Sequence, residues 1–112
     1  MNLRNHVQLI GNIGTDPIVK TLPTGKLITR FSLATSEYSN EKGALKIKTN
    51  WHNIVAWGKN AEIIEKRCNK GTEIVISGKL INRTYEDKNG SKRYISEVVV
   101  NEVICRPQKT KV

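Results

Sequence analysis

Residues 50–59 of this 112-residue chain read Asn50-Trp51-His52-Asn53-Ile54-Val55-Ala56-Trp57-Gly58-Lys59. Successive side chains of a β-strand point to opposite faces, so a strand here has two contrasting faces. One face carries Trp51, Asn53, Val55 and Trp57, and the other carries His52, Ile54 and Ala56. Ile54 and Ala56 have the size that a narrow barrel interior accepts. The stretch therefore favours a barrel strand, predicted over residues 47–57.

A single helical segment follows this strand. Between Lys59 and Asn69, apolar Ala61, Ile64 and Cys68 recur at helical spacing. Gly71 stands where a C-cap glycine is expected.

The other segments alternate with the period of two that is typical of strands. Before the helix, strands are predicted over residues 7–22, interrupted at Asp16-Pro17, and over residues 27–36, where Phe31 faces the core. Residues 37–46 are polar and are predicted to form an exposed loop. After the helix, strands are predicted over residues 72–85 and 92–104, joined by a hairpin loop with an Asn-Gly turn signal.

The order of these elements predicts an all-β fold. Three strands, one helix and two strands match a five-stranded OB-fold barrel, with the helix between strands 3 and 4. Glycines at 11, 14, 58 and 78 offer places where the sheet can bend and close. We expect one domain over residues 1–105 and a short basic end over residues 106–112.

The composition limits the class of protein and its place in the cell. A hydrophobic content of 38% suits one compact core, and no run approaches the roughly 18 apolar residues of a membrane helix. The N-terminus lacks the pattern of a signal or transit peptide, so a cytoplasmic, nucleoid-associated protein is expected. Cys68 and Cys105, far apart and without ligand spacing, are predicted to be buried, reduced thiols.

The net charge of +9 favours a polyanionic partner such as nucleic acid, an anionic membrane surface or an acidic protein. Catalytic patterns are missing. His6 and His52 stand alone, and the glycines at 11 and 14 lack the lysine and helix of a phosphate loop. We expect no enzyme activity, no cofactor and no metal site.

The aromatic side chains are few, but they fall on the basic strands. Trp51 and Trp57 share a face of strand 3, and Tyr85 shares a face of strand 4 with Lys79 and Arg83. Rings that stack on bases, combined with cations that hold phosphates, are typical of single-stranded nucleic acid binding. The alternative is that both tryptophans belong to the core.

Other residues have less decided roles. Tyr38, in the predicted loop, either stacks a base or packs locally, and Tyr94 fits core, interface or binding surface equally. Lys48 either guides phosphates or lies on a solvated face with Lys42 and Lys46. Lys59, directly after Trp57 and Gly58, is a further candidate for the binding surface.

Five segments in register resemble the bacterial single-stranded DNA-binding proteins, from residue 5 to about residue 102. They are Leu9 to Pro17, Phe31 to Glu37, Trp51 to Lys59, Gly71 to Gly78, and Arg93 to Val100. The resemblance implies that Trp51, Trp57 and Tyr85 occupy base-stacking positions, with Tyr38 one residue away from a further one. It implies a subunit contact at His52, a homotetramer, and coating of exposed strands in replication, recombination and repair.

The end of the chain departs from this family, whose members typically continue into an acidic tail that docks replication enzymes. No acid follows Glu102, so tail-mediated recruitment is not expected from this chain. Two alternatives stay open. One is a primosome-type, tail-less OB-fold accessory protein, usually a dimer, and the other is a protein-interaction module that uses its charge for acidic partners.

Overall fold

The computed structural model of the protein describes residues 4–106. The predicted basic end, apart from Arg106, lies outside the described residues. The elements are β1 (Val7–Ile13), β2 (Ile18–Thr21), β3 (Leu27–Glu41), β4 (Ala44–Trp57), α1 (Lys59–Arg67), β5 (Glu73–Glu86) and β6 (Lys92–Cys105). No helix in this part of the chain has the length and apolar character needed to cross a membrane.

The strands form one closed sheet in the order β1-β5-β6-β4-β3-β2, and a further pairing of β1 with β3 completes the barrel. All pairs are antiparallel except β4 with β6, which run parallel around Ile54. Strands β1 and β2 are the two halves of the first predicted strand, separated where Asp16-Pro17 interrupts the ladder. The five-stranded OB-fold barrel with its helix after the third long strand is therefore confirmed.

The core lies inside the barrel and under α1. Ile54 and Ala56 of β4 are buried, as alternation predicts, and Phe31 packs with them. Ala61 and Ile64 turn the apolar face of α1 onto this cluster. Gly78 marks a register shift between β5 and β6, where a side chain would collide with the backbone of Val99. The barrel bends there, at one of the glycines predicted to permit it.

Residues 37–46 are exposed, as predicted, but the prediction that they form a loop is wrong. These residues continue β3 and β4, which pair in unbroken register from Ser36 with Thr49 to Glu41 with Ala44. Lys42 and Gly43 make the turn with positive φ angles of 51° and 79°, the geometry that matches the twist of a two-residue hairpin. Both faces of this arm are exposed to solvent, and backbone pairing between β3 and β4 forms the ladder without a core beneath it.

Gly71 is not the C-cap of the helix, which corrects a second prediction. Helix α1 ends at Arg67, and Cys68 follows in an extended conformation. Gly71, with a φ of 89°, belongs instead to a turn in which the Thr72 amide donates to the Asn69 carbonyl at 3.0 Å. In this extended conformation Cys68 is part of the buried core cluster.

The prediction of two reduced thiols is also wrong, because Cys68 and Cys105 form a disulfide. They are 37 residues apart in sequence, but their Cα atoms lie 6.4 Å apart, within the usual range for a disulfide. The barrel brings the end of α1 against the end of β6, and sequence separation gives no sign of this. Cys68 is buried and Cys105 is half-buried.

Candidate nucleic-acid interface

One outward face of the barrel gathers aromatic and cationic side chains from β3, β4 and β5. Trp51 is 62% exposed, Trp57 37% and Tyr85 46%. The register of β3, β4, β6 and β5 places these side chains on the same side of the sheet as Arg30 and Arg83. The alternative that both tryptophans belong to the core is excluded by their exposure. Val55, on the same face, is nevertheless buried between its neighbours on β3 and β6.

Trp51 rests on Gly14. A Cβ atom at position 14 would overlap the Trp51 ring and would lie 2.8 Å from Oγ of Ser32. The Gly14 amide donates to the Ser32 carbonyl at 2.9 Å, which fixes this segment against β3. The indole therefore has one side supported by the protein while most of its surface stays open to solvent. Such a ring is a platform on which a planar group can stack.

This contact predicts that Gly14→Ala displaces the Trp51 ring. The added methyl overlaps the outer edge of the indole, and because Trp51 is 62% exposed the ring can swing away from it. In an NMR spectrum, the indole N–H signal of Trp51 should shift while that of Trp57, which does not contact Gly14, stays in place. Two unmoved indole signals would show that Gly14 does not seat the ring.

Trp57 ends β4 at the other side of this face. The Nζ atom of Lys26, in the turn between β2 and β3, lies 5.7 Å from the centre of the Trp57 ring, within cation–π range. Lys59, the first residue of α1, is exposed two positions further along. A cation beside a stacking ring suits a nucleotide, whose base and phosphate lie close together.

Tyr85 stands on β5 with Arg83, whose guanidinium carbon lies 6.0 Å from the centre of the tyrosine ring. Lys79 is exposed on the same face of β5. Tyr94 is 79% exposed, but it pairs in register with Thr84 and so lies on the other face of this hairpin. The structure thus separates Tyr94 from Tyr85, which the sequence pattern could not do.

A buried acid lies at the centre of the face. Glu97 of β6 is 3% exposed and accepts hydrogen bonds from Nε of Arg83 at 2.6 Å and from Nε of Arg30 at 3.3 Å. Sequence reasoning missed Arg30, Glu97 and Lys26. Alternation in β3 already placed Arg30 opposite buried Phe31, so that signal was present. The pairing of β6 with β4 was needed to find Glu97.

The β3–β4 arm extends the face beyond Trp51. Tyr38, Leu45 and Ile47 are each more than 60% exposed, and pairing places them on the Trp51 side of the arm. Lys48 projects from the opposite side, in register with Glu37. This placement argues against the phosphate contact predicted for Lys48, while it brings Tyr38 to the edge of the aromatic face.

His52 points away from this face. It is half-buried, and its Nε2 atom lies 2.9 Å from Oγ1 of Thr35 in a hydrogen bond. The Cβ position of Gly11, on β1, faces the Cγ2 atom of Thr35. His52 therefore contacts Thr35 of β3, which in turn packs against β1. Its predicted role in subunit contacts stays a prediction.

The ionisable groups with shifted pKa values lie at the β5–β6 turn and on α1. The pKa of Asp87 is lowered, first by the hydrogen bond from Arg93 and then by the backbone amides of Asn89 and Ser91, which fix the β5–β6 turn. On α1, the pair Glu62 and Lys66 lowers the pKa of the acid and raises that of the base, mainly through their hydrogen bond. Neither arrangement indicates acid–base chemistry at the aromatic face.

Comparison with known proteins gives a consistent result. The model of the single-strand binding protein family matches residues 4–105. The Single-stranded DNA-binding protein of Bacteroides thetaiotaomicron is 42% identical over 102 residues, covering 88% of this chain and 63% of the relative. Single-stranded DNA-binding protein 1 of Chlorobaculum tepidum is 41% identical over 101 residues, covering 88% and 62%. The chain thus spans less than two thirds of the length of these relatives.

Among solved structures, the chain is similar to the Plasmodium falciparum SSB complex with ssDNA. The two superpose with a TM-score of 0.83 at 32% sequence identity, over 95% of this chain and 99% of that one. The similarity therefore extends across almost the whole barrel, including the three strands that carry the aromatic face.

Proposed function

Because the chain belongs to the single-strand binding protein family, we propose that it binds single-stranded DNA through the face that carries Trp51, Trp57 and Tyr85. Binding is indifferent to sequence, since each base has a π-face that can stack on an aromatic ring. By this proposal the protein coats strands exposed in replication, recombination and repair. It acts as a binding protein and catalyses no reaction.

The observation that carries the proposal is the exposure of three large aromatic side chains on one face together with cations. A soluble domain normally hides such rings, and exposed apolar patches mark binding sites. Arg30, Arg83 and Lys79 lie on the same face, so phosphates can be held while bases stack. Backbone hydrogen bonds hold the strands that carry the rings, since β4 pairs with β3 and β5 pairs with β6 along their lengths.

A competition experiment tests this function. Labelled oligothymidine should bind, unlabelled oligocytidine or mixed-sequence single strands should displace it, and a duplex of the same length should displace it poorly. A duplex hides its base faces, so only its phosphates remain available. Equal competition by single strand and duplex would reduce the proposal to general attraction between the basic protein and a polyanion.

We also propose that the chain assembles into a homotetramer. Ile10, Val75 and Ile104 lie side by side across β1, β5 and β6 on the outer surface, and Ile10 and Ile104 are 55% and 65% exposed. Within the described residues, the second edge of β1 pairs with β3 only at Asn12 and Ile13, which leaves its earlier backbone groups open to another copy. Native mass spectrometry should show four chains, whereas a dimer would favour a primosome-type protein.

A further inference from the structure

A negatively charged side chain, Glu97, lies at the centre of the aromatic face, among its cationic side chains. Glu97 is 3% exposed and lies on the face that carries the exposed aromatic rings and the side chains of Arg30, Lys79 and Arg83. Burial of a carboxylate is costly unless it is paired and hydrogen-bonded, and Glu97 is paired on both oxygens. In a surface that attracts phosphates, an acid lowers affinity by charge alone. Its presence there therefore calls for a role that outweighs this repulsion.

The geometry of the pairing indicates that role. Arg83 comes from β5, the neighbour of β6, whereas Arg30 comes from β3, two strands away on the other side. Both use the Nε atom for Glu97, which leaves the two terminal nitrogen atoms of each guanidinium for other acceptors. The arginine side chains are 52% and 42% exposed. The carboxylate thus lies beneath two half-exposed guanidinium groups and holds each of them through a hydrogen bond from its Nε atom.

We propose that Glu97 is a positioning residue, which orders Arg30 and Arg83 so that their terminal nitrogen atoms face the phosphates of a bound strand. The inference rests on the proposed binding of single-stranded DNA. Long arginine side chains lose rotamer freedom when they bind, and this loss lowers affinity. A carboxylate that has already fixed them removes part of that loss before the strand arrives.

Charge and positioning predict opposite signs for Glu97→Gln. The substitution raises the net charge of the face by one, so electrostatics alone predicts tighter binding of a polyanion. Positioning predicts weaker binding, because glutamine is a poorer acceptor and the two arginines become mobile. The ordering of one such side chain corresponds to about two- to tenfold in affinity, so with two arginines freed we expect oligothymidine affinity to fall by at least about two- to tenfold.

The experiment compares oligothymidine affinity of the parent chain, Glu97→Gln and the matched control Glu65→Gln. Glu65 is an exposed acid on α1, so its variant carries the same charge change away from the face. We expect weaker binding for Glu97→Gln and unchanged or slightly tighter binding for the control. Tighter or equal binding by Glu97→Gln overturns the inference, while a parent chain that fails to bind overturns the proposed function instead.

A second set of variants keeps the test valid where Glu97→Gln destabilises the fold. Arg30→Lys and Arg83→Lys preserve charge at half-exposed positions, but a lysine has a single nitrogen and cannot hold Glu97 and a phosphate with separate atoms. Each should bind oligothymidine more weakly than the parent, and in the doubly substituted chain Glu97→Gln should cause no further loss. Parent-like binding by the lysine variants, or an undiminished effect of Glu97→Gln in their background, contradicts the inference.

Discussion

Replacing Trp51, Trp57 or Tyr85 by alanine should weaken oligothymidine binding by about fivefold to about a hundredfold while the fold stays intact. Base stacking on an aromatic ring is worth roughly 1–3 kcal/mol per base, and about 1.4 kcal/mol corresponds to tenfold in affinity. All three rings are exposed, so their removal leaves no internal cavity. Affinity by fluorescence anisotropy of a labelled strand and the melting temperature should be measured on the same samples.

Tyr94→Ala tests how far the stacking surface extends. Tyr94 lies on the same β5–β6 hairpin as Tyr85 and is more exposed, and its pairing with Thr84 turns it to the opposite side, but it lines a groove that Trp51 also lines. Its removal should change affinity less than the removal of Tyr85. A ring that stabilises the core would behave differently, because its loss typically costs about 3–5 kcal/mol of unfolding free energy. Variants that melt far below the parent yet bind normally while folded would place the stacking surface elsewhere.

Binding should weaken by more than tenfold between about 50 mM and about 200 mM salt. Each phosphate neutralised on a single strand contributes about −0.7 to the slope of log affinity against log salt. The face offers Lys26, Arg30, Lys79 and Arg83, so we expect three or more contacts and a slope of about −2 or steeper. An affinity that stays flat over this range would contradict the role of these cations.

The same salt dependence, measured on variants, shows whether a given lysine contacts a phosphate. Lys79→Ala should make the slope shallower by about 0.7, which corresponds to one phosphate. Lys48→Ala is the control, because Lys48 lies on the other side of the β3–β4 arm opposite Glu37. If the two substitutions change the slope equally, the face does not define the path of the strand.

The barrel could be predicted from the sequence because its determinants are local. Alternation places Ile54 and Ala56 inside, and the helix is marked by the apolar spacing of its residues. The β3–β4 arm could not be predicted in this way, since both of its faces are exposed and its turn is Lys42-Gly43 rather than Asn-Gly. Backbone pairing with the neighbouring strand determines that such a segment is a strand, and the pattern of polar and apolar side chains does not reveal that pairing.

The residues of the candidate site also fall into a group that the sequence predicts and a group that it does not. The aromatic residues follow from the alternation of single strands, whereas Arg30 and Glu97 meet only because β4 pairs with β3 on one side and with β6 on the other. The seat of Trp51 on Gly14 also depends on how β1 crosses the barrel. The disulfide between Cys68 and Cys105 depends on the packing of α1 against β6. Contacts between distant segments are the part that one sequence does not disclose.

The central claim is that a single strand lies directly on the tryptophans of this face. Titration of the unlabelled protein with oligothymidine, followed by tryptophan fluorescence, tests it most directly, because Trp51 and Trp57 are the only tryptophans in the chain. We predict strong, saturable quenching that salt reverses, about half of it lost in Trp51→Ala if the two rings contribute alike. Binding detected by anisotropy of a labelled strand without any change in tryptophan emission would contradict the claim.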